Sequence, residues 1–256
     1  MLTSHLFRRA LLFVLLFACF PPAVHGQPQQ FVVGVETIDY YPIYAGDTGE
    51  YRGYARELLD AFASKKGYVF RYEPLPVKRL FQAFLTDQVL DFKFPDNAYW
   101  SAEMRQGVQV TYSEPAVEYI DGVMVSPARK GMPAESMKML GIIAGFTPFE
   151  YLDRIKAGAV TLDESTEYAA MLQKAIMGRV DGAYSSVAVA NYQLRDVLKQ
   201  PEALAFDASL PHTRSGYRLS TIKHPAIIAE FNAFLAEEPA LVQQLKDKYQ
   251  AEVGVR

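Results

Sequence analysis

The side chains best suited to binding a polar molecule are concentrated in residues 89–125. β-type runs open and close this stretch, and Phe94 lies at the end of the first run. Between the runs lie hydrogen-bonding groups, aromatic rings and one guanidinium, on Asp96, Asn97, Tyr99, Trp100, Ser101 and Arg105. Ligand pockets combine apolar walls with a few placed polar groups, so the stretch is predicted to form a small-molecule site. A solvated surface loop above a buried Trp100 is the alternative.

A second set of candidate groups follows the first predicted strand. Residues 31–35 form a β-branched apolar run that is typical of a buried parallel strand. Glu36, Tyr40 and two further tyrosines come next, and Pro42 ends the regular structure. Because ligands of open α/β sheets bind outside the carboxyl ends of the strands, Glu36 and Tyr40 are predicted to face the ligand.

The most specific local pattern is GFTPFE at residues 145–150, directly after an apolar run. It predicts a helix start with Thr147 as the N-cap, Pro148 in the first helical position and Glu150 closing a capping box. Free backbone N–H groups at a helix start bind anions, which makes Gly145 and Thr147 candidate ligand-binding residues. In the alternative interpretation, Thr147 only stabilises the helix, by about 1 kcal/mol.

The composition excludes several kinds of chemistry. Cys19 is the only cysteine and lies in a predicted leader, so no disulfide, thiolate metal site or cysteine nucleophile is expected. Outside the leader only His212 and His224 remain, and neither has a metal-ligand spacing. The formal net charge is −3 without basic clusters, which argues against nucleic acid or an anionic membrane as a partner. No metal and no cofactor are predicted.

Residues 1–26 have the pattern of an export signal. A pair of arginines precedes an apolar run at residues 10–20, which is shorter than the roughly 20 residues of a membrane span. Two prolines break this run, and small residues near Gly26 suit cleavage. A cleaved leader and a periplasmic protein are predicted, and a lipoprotein anchored through Cys19 is the alternative.

The remaining hydrophobic pattern predicts two α/β units. Strands are predicted at residues 31–35, 68–72, 89–94, 140–144, 180–184, 204–206 and 217–221. Helices are predicted at residues 53–66, 80–85 and 163–177, directly after Ser185 and Ser186, and from residues 225 and 239. The βαβαβ order of the first half implies a parallel sheet with covering helices, and this order begins again at residue 140. The last two helices have no obvious place in either unit.

Five motifs, in this order, make the chain similar to the type II periplasmic solute-binding proteins, in their polar amino-acid-binding branch. They are a strand followed by tyrosine and proline at residues 34–43, GYAREL at 53–58, LD at 90–91 with Arg105 and YSEP at 112–115, AGFT at 144–147, and GRVDGA at 178–183. The resemblance implies two Rossmann-like α/β lobes that trap a ligand as they close. The implied boundaries are residues 27–120 and 216–256 for lobe 1 and residues 121–215 for lobe 2, with crossover segments near residues 121–126 and 207–217.

The resemblance also implies a function. Tyr40 would stack on the ligand, and Arg105 would bind a carboxylate. The turn at Gly145 and Thr147 would donate backbone hydrogen bonds to the same group. The protein would be a monomer without catalytic activity that delivers a small polar solute, an amino acid or a related carboxylate, to an inner-membrane ABC permease.

One departure from the family pattern leaves the ligand open. In amino-acid binders an aspartate follows the Gly-Arg-x-Asp run by five residues and pairs with the ligand's ammonium group, whereas here that position is Ser186, preceded by Ser185. Either Asp96 takes over the ammonium from the opposite lobe, or the ligand is not an α-amino acid. A few members of this fold are dehydratases of prephenate-like acids, which would need an acid or base such as Glu36, Asp96 or Glu114. A ligand-sensing subunit for a membrane receptor is the third possibility.

Overall fold

Residues 28–255 of the chain are described by a computed structural model, and the predicted leader at residues 1–26 lies outside them. The strands are β1 (Gln29–Glu36), β2 (Asp39–Tyr40), β3 (Tyr44–Ala45), β4 (Tyr68–Leu75), β5 (Phe92–Asp96), β6 (Thr111–Tyr112), β7 (Val117–Val125), β8 (Met139–Ile143), β9 (Thr161–Ser165), β10 (Gly182–Ser186), β11 (Ala205–Phe206) and β12 (Thr213–Thr221). The helices are α1 (Tyr54–Lys66), α2 (Val77–Phe81), α3 (Leu152–Lys156), α4 (Tyr168–Ile176), α5 (Val187–Tyr192), α6 (Pro225–Glu237) and α7 (Pro239–Tyr249). Short 3₁₀ segments lie at Ala102–Arg105, Pro127–Arg129, Ala134–Ser136 and Phe149–Tyr151, and π-helical turns at Gln82–Thr86 and Gln193–Val197 continue α2 and α5.

One mixed sheet runs through both lobes in the order β4-β1-β5-β12-β7-β10-β8-β9, with β6 and β11 beside this path. β1 pairs in parallel with β4 and β5, and β8 pairs in parallel with β9 and β10. β7 and β12 run antiparallel to each other and to their outer neighbours, and they carry the chain between the two halves. The expected α/β class, with two Rossmann-like lobes joined by two crossover segments, is confirmed.

Helix α1 shows how local sequence covers the first parallel unit. It ends at Gly67, whose φ of 72° is the left-handed conformation that glycine adopts without a Cβ penalty. Its apolar face packs against β4. The buried residues of this face recur at helical spacing and are Tyr54, Ala55, Leu58, Leu59, Phe62 and Ala63.

The two C-terminal helices return to the first lobe. Phe231 and Phe234 of α6 contact Phe62 of α1, with ring centroids 5.1 and 5.6 Å apart. From α7, Lys248 Nζ donates a hydrogen bond of 2.6 Å to Glu57. These contacts give the helices a place that the hydrophobic pattern alone did not indicate. No helix of residues 28–255, these two included, is both long and apolar enough to cross a membrane.

The predicted helix start at Thr147 is wrong. Pro148 has a ψ of 76°, which is not helical, and only a 3₁₀ turn and the short α3 follow, neither with a side-chain cap. Thr147 Oγ1 instead accepts a hydrogen bond of 3.3 Å from the backbone N–H of Ser101. Glu150 accepts one of 3.2 Å from Thr213 Oγ1. Residues distant in the sequence therefore hydrogen-bond to the polar groups that the local pattern assigned to a helix cap.

Two other element boundaries differ from their predictions. The helix predicted at residues 163–177 begins only at Tyr168, because β9 occupies the preceding residues and pairs in parallel with β8. At this edge of the sheet, backbone pairing outweighs the helical spacing of the side chains. The strand predicted at residues 89–94 is β5, which begins at Phe92.

Candidate functional site

A largely enclosed cavity lies between the two lobes, near the carboxyl ends of the parallel strands. The open space inside it, part of which is continuous with solvent, measures about 390 Å³. Residues from both lobes and from both crossover strands line it: Glu36, Tyr40, Tyr44, Val77, Phe81, Pro95, Trp100, Asp121, Gly145, Phe146, Thr147, Tyr184 and Tyr217. The cavity is thus built from parts of the chain that meet only while the lobes are together.

Aromatic rings form most of the cavity walls. Tyr40 stacks on Tyr44 with centroids 5.0 Å apart, and Phe146 meets Tyr40 edge-on at 5.6 Å. Trp100 lies 5.9 Å from Tyr217. The hydroxyl groups of Tyr40 and Tyr217 share a hydrogen bond of 3.3 Å. Such ring pairs restrain one another, so the walls present fixed faces and edges to a ligand.

Glu36 is one of two carboxyl groups in the walls. It ends β1 and is only 3% exposed. The Tyr44 hydroxyl donates a hydrogen bond to Glu36 Oε2. Burial raises the pKa of Glu36, while the Lys93 ammonium and the Tyr44 hydrogen bond oppose that shift. Glu36 therefore reaches the cavity with part of its hydrogen-bonding capacity already used.

Asp121 is the second carboxyl group. It lies within the crossover strand β7, is 8% exposed, and its Oδ1 has no hydrogen-bond partner in the described part of the chain. Burial and, to a lesser degree, the charge of Glu36 raise the pKa of Asp121 to about 8. The carboxyl group is thus mostly protonated at neutral pH while the cavity holds no cation. The sequence reasoning did not include Asp121, although a single acid inside the otherwise apolar YIDGVMV is a visible signal.

Ser185 and Ser186 end β10 beside the cavity without lining it. Ser186 pairs directly with Asp121 in the antiparallel register of β10 and β7. Its Oγ is buried and has no partner among residues 28–255. Ser185 Oγ donates a hydrogen bond of 2.9 Å to the carbonyl oxygen of Ser186. The position at which the resemblance expects an aspartate is therefore the cross-strand neighbour of one.

Arg105 and Asp96 belong to a buried cluster behind Trp100. Asp96 accepts hydrogen bonds of 2.6 Å from Arg105 Nη2 and of 2.6 Å from Ser220 Oγ. Lys93 Nζ completes the cluster at 3.3 Å from Asp96 Oδ1. Arg105 Nε donates a further hydrogen bond of 2.8 Å to the carbonyl oxygen of Trp100. The guanidinium and the carboxylate thus hold the loop that carries Trp100, and neither lines the cavity.

Phe94 and Asn97 support the same region. Phe94 is completely buried in the core. Asn97 Nδ2 donates hydrogen bonds of 3.1 Å to the Tyr119 hydroxyl and of 3.0 Å to Ser215 Oγ. Since Tyr119 lies in β7 and Ser215 in β12, Asn97 joins the loop to both crossover strands.

The predicted ligand-binding residues divide into those in the cavity wall and those around it. Residues in the wall are Glu36, Tyr40, Trp100, Gly145 and Thr147, and residues around it are Phe94, Asp96, Asn97, Arg105, Ser185 and Ser186. The wall residues that the sequence reasoning did not include are Tyr44, Val77, Phe81, Pro95, Asp121, Phe146, Tyr184 and Tyr217. Most of the latter are apolar or aromatic side chains that look like ordinary core residues until the sheet is assembled.

Polar contacts between the lobes close the rim of the cavity. Lys78 Nζ lies 3.3 Å from Glu164 Oε1 across the opening. Gln193 Nε2 donates a hydrogen bond of 3.1 Å to the carbonyl oxygen of Asp39. Together with the contact of Thr147, these bonds hold the lobes in a closed arrangement.

The chemistry of the cavity is acidic and aromatic. Its polar groups are two carboxyl groups, several tyrosine hydroxyls, the Trp100 indole N–H and the Thr147 hydroxyl. Nowhere in residues 28–255 are three or more His, Cys, Asp or Glu side chains grouped to hold a metal ion. The arrangement is suited to holding a small molecule by hydrogen bonds and ring contacts.

Many solved structures share this fold, including two binding proteins and one sensor domain. An ancestral arginine-binding protein bound to arginine is 20% identical, with a TM-score of 0.67, and the match covers 88% of this chain and 99% of that one. A histidine kinase sensor domain with similarity to periplasmic binding proteins is 20% identical, with a TM-score of 0.67 and coverages of 87% and 96%. An ancestral amino-acid-binding precursor of cyclohexadienyl dehydratase is 17% identical, with a TM-score of 0.66 and coverages of 86% and 95%. No protein-family model and no curated protein sequence matches the chain. The likeness confirms the two-lobe fold of periplasmic binding proteins.

Proposed function

We propose that the protein is a periplasmic solute-binding protein, which captures a small polar solute by lobe closure and delivers it to an inner-membrane ABC transporter. The observation that carries the proposal is the cavity between the lobes, whose walls combine aromatic rings with two carboxyl groups. Apolar walls with a few placed polar groups are typical of small-molecule sites. Export through the leader at residues 1–26 would bring the protein to the compartment where such a solute is captured.

The geometry of the lining supports capture by closure. Glu36 and Trp100 belong to the first lobe, Phe146 and Tyr184 to the second, and Asp121 to a crossover strand. A solute therefore finds its complete set of contacts only when the lobes are together. Because a ligand shifts an equilibrium by its differential affinity for the two states, the solute stabilises the closed form.

The lobe boundaries of the proposal follow the crossover strands. Lobe 1 consists of residues 27–120 and 216–256, and lobe 2 consists of residues 121–215. The protein acts as a monomer, with the lobes turning about the segments near residues 121–126 and 207–217. The solved neighbours that support this division, one bound to arginine and one a sensor domain, share the two-lobe fold.

The proposal is tested by native mass spectrometry and small-angle X-ray scattering on the protein purified without refolding. We expect a released small molecule, a larger radius of gyration after its removal, and recovery of the smaller radius when it is added back. Trp100→Ala should weaken binding, whereas Met177→Ala, at a residue that is 57% exposed, is the matched control. An unchanged radius with a panel of amino acids, amines, organic acids and sugars would contradict the proposal.

Delivery and sensing are separated by a test in the host. If the protein delivers its solute, deletion of its gene should abolish uptake of the identified molecule at low concentration. If it serves a receptor instead, uptake should persist and a transcriptional response to the molecule should disappear.

One observation favours a second candidate, an enzyme of the dehydratase type. The cavity holds two acids whose environments differ, since Glu36 has a hydrogen-bond donor and Asp121 has none in the described chain. A carboxyl group that keeps its proton at neutral pH is a potential general acid. A dicarboxylate such as prephenate, however, would face two acids and no lining Lys, Arg or His from residues 28–255. We therefore expect no turnover of prephenate above the uncatalysed rate, and turnover that Asp121→Asn abolishes would instead establish the enzyme.

A further inference from the structure

We infer that the solute is a small organic cation, whose ammonium or guanidinium group lies between Glu36 and Asp121. Asp121, on the crossover strand β7, supplies the negative charge that Ser186 cannot provide. The inference rests on the proposed binding function and names the class of solute for the same cavity.

The first argument is the balance of charge at the cavity surface. Glu36 and Asp121 both line the cavity, and the lining drawn from residues 28–255 includes no Lys, Arg or His. Two buried cations, Lys93 and Arg105, lie outside this lining and share the single carboxylate of Asp96, and the Lys93 charge also acts on Glu36. No cation of the described residues acts on Asp121, so a positive charge on the solute would be matched there, whereas a negative charge would be repelled.

The second argument is the unused hydrogen-bonding capacity of Asp121. Its Oδ1 is buried without a partner in the described chain, although buried polar atoms in proteins are almost always paired. Ammonium and guanidinium groups carry several N–H donors and no acceptor. A cationic group at this point would give Asp121 Oδ1 the charge-assisted hydrogen bond that the protein does not supply.

The third argument comes from strand register. Ser186 and Asp121 are direct partners across β10 and β7, so their side chains project from the same face of the sheet. Directly opposed residues have Cβ atoms about 4.5–5.5 Å apart. A carboxyl group moved from position 186 to position 121 therefore stays within reach of the same ligand group. In the inferred site, the carboxyl group of the amino-acid-binding pattern is provided from β7, by Asp121, instead of from β10.

The fourth argument is the nature of the walls. Tyr40, Trp100 and Tyr217 present ring faces and edges around the two acids. A cation within about 6 Å of an aromatic centroid is attracted by the ring quadrupole, most strongly by that of tryptophan. Acids that supply charge, surrounded by rings that supply desolvated contact, match organic cations better than hard metal ions such as Ca²⁺ and Mg²⁺, which bind through oxygen ligands alone.

Matched pairs of probes test the inference on the wild-type protein. Agmatine and putrescine are cations, arginine adds a carboxylate to the guanidinium of agmatine, and glutamate and succinate are anions of similar size. We expect agmatine or putrescine to bind in calorimetry and to reduce the radius of gyration, and glutamate and succinate to do neither. Binding of arginine with an affinity close to that of agmatine would show that the cationic end carries recognition.

Charge variants test the role of Asp121. Asp121→Asn should weaken binding of the cation by about 10- to 100-fold, the usual effect of losing a hydrogen bond to a charged group. Adding Ser186→Asp to that variant should restore a large part of the affinity, because it returns a carboxyl group to the opposed position. Asp196→Asn removes a surface carboxylate of the same lobe and should leave the affinity unchanged.

Three different failures are distinguishable. Compaction by an anion or a neutral sugar, with no effect of the cations, would overturn the inference while leaving the proposed binding function intact. Unchanged affinity of a cation for the Asp121→Asn variant would overturn the role of Asp121. Absence of compaction with every probe would count against the binding function and the inference together. Circular dichroism and thermal melting confirm that each variant is folded before its affinity is interpreted.

Discussion

Asp121→Asn should stabilise the ligand-free protein by an amount that increases with pH. The pKa of Asp121 is raised from 3.8 to about 8 in the folded state. Between these values the folded protein holds a proton that the unfolded chain has released, so the free energy of unfolding falls as pH rises. Each pH unit costs about 1.4 kcal/mol, which amounts to roughly 3 kcal/mol between pH 5 and pH 7. Asparagine has no proton to lose and removes this dependence.

The assay is urea unfolding of ligand-free protein at pH 5, 6, 7 and 8, with wild type and variant measured side by side. The difference in the free energy of unfolding between the two proteins should grow by about 1.4 kcal/mol per unit and level off near pH 8. The slope is diagnostic, because new contacts of the asparagine would add only a constant. Tyr40, Tyr119, Tyr168, Tyr184 and Tyr217 also surround the carboxyl group, but burial raises their pKa values above this range. A difference that stays constant across the series would refute the reasoning, and Asp196→Asn should show that flat behaviour.

Three further predictions concern ligand binding and closure. The affinity for an organic cation should rise with pH up to about 8, by at most tenfold per pH unit, because binding releases the proton of Asp121. Calorimetry in two buffers of different ionisation enthalpy should detect the release of nearly one proton at pH 6.5. Thr147→Val should change the free energy of unfolding by less than the roughly 1 kcal/mol of a lost N-cap, because Thr147 caps no helix. The same variant should favour the open form, because it removes the acceptor for the Ser101 N–H. Urea titration measures the first effect and small-angle scattering of the same sample measures the second. Lys78→Ala and Glu164→Ala should each weaken binding by less than about fivefold, because exposed ion pairs contribute about 0–1 kcal/mol; a double-mutant cycle at low and high salt measures their coupling, and a coupling that survives 1 M salt would contradict the exposed ion pair as its source.

The order of strands and helices could be predicted because it depends on local patterns. The apolar run of β1 and the helical face of α1, ended by Gly67, are both visible in the sequence and both occur. Local patterns failed where distant partners compete. Thr147 has every feature of an N-cap, but the N–H of Ser101 from the other lobe uses its hydroxyl. Ser101 lies 46 residues from Thr147 along the chain, which is outside any local sequence pattern.

The candidate site was harder to predict because it depends on which way each side chain points. A shift of one residue in strand register turns a side chain to the opposite face, so an acid in β7 can be assigned to the cavity only after the pairing is known. Asp121 was missed for this reason. Arg105 shows the opposite problem. Its side-chain type suggested that it binds a carboxylate of the ligand, but its ion pair with Asp96 depends on how the loop folds. Whether Arg105 contributes to binding stays a prediction.

Trp100 is the only tryptophan of the chain, and it forms part of the cavity wall. The ring centroids of Tyr217 and Tyr119 lie 5.9 and 6.2 Å from that of Trp100, close enough for excitation energy to transfer to the indole. All tryptophan emission from a pure sample therefore originates at the cavity. We expect a molecule that binds beside Trp100 to change the polarity around the indole and therefore the wavelength and intensity of that emission. The unmodified protein thus carries its own optical reporter, and filling of the cavity can be followed in real time without a label or a substitution.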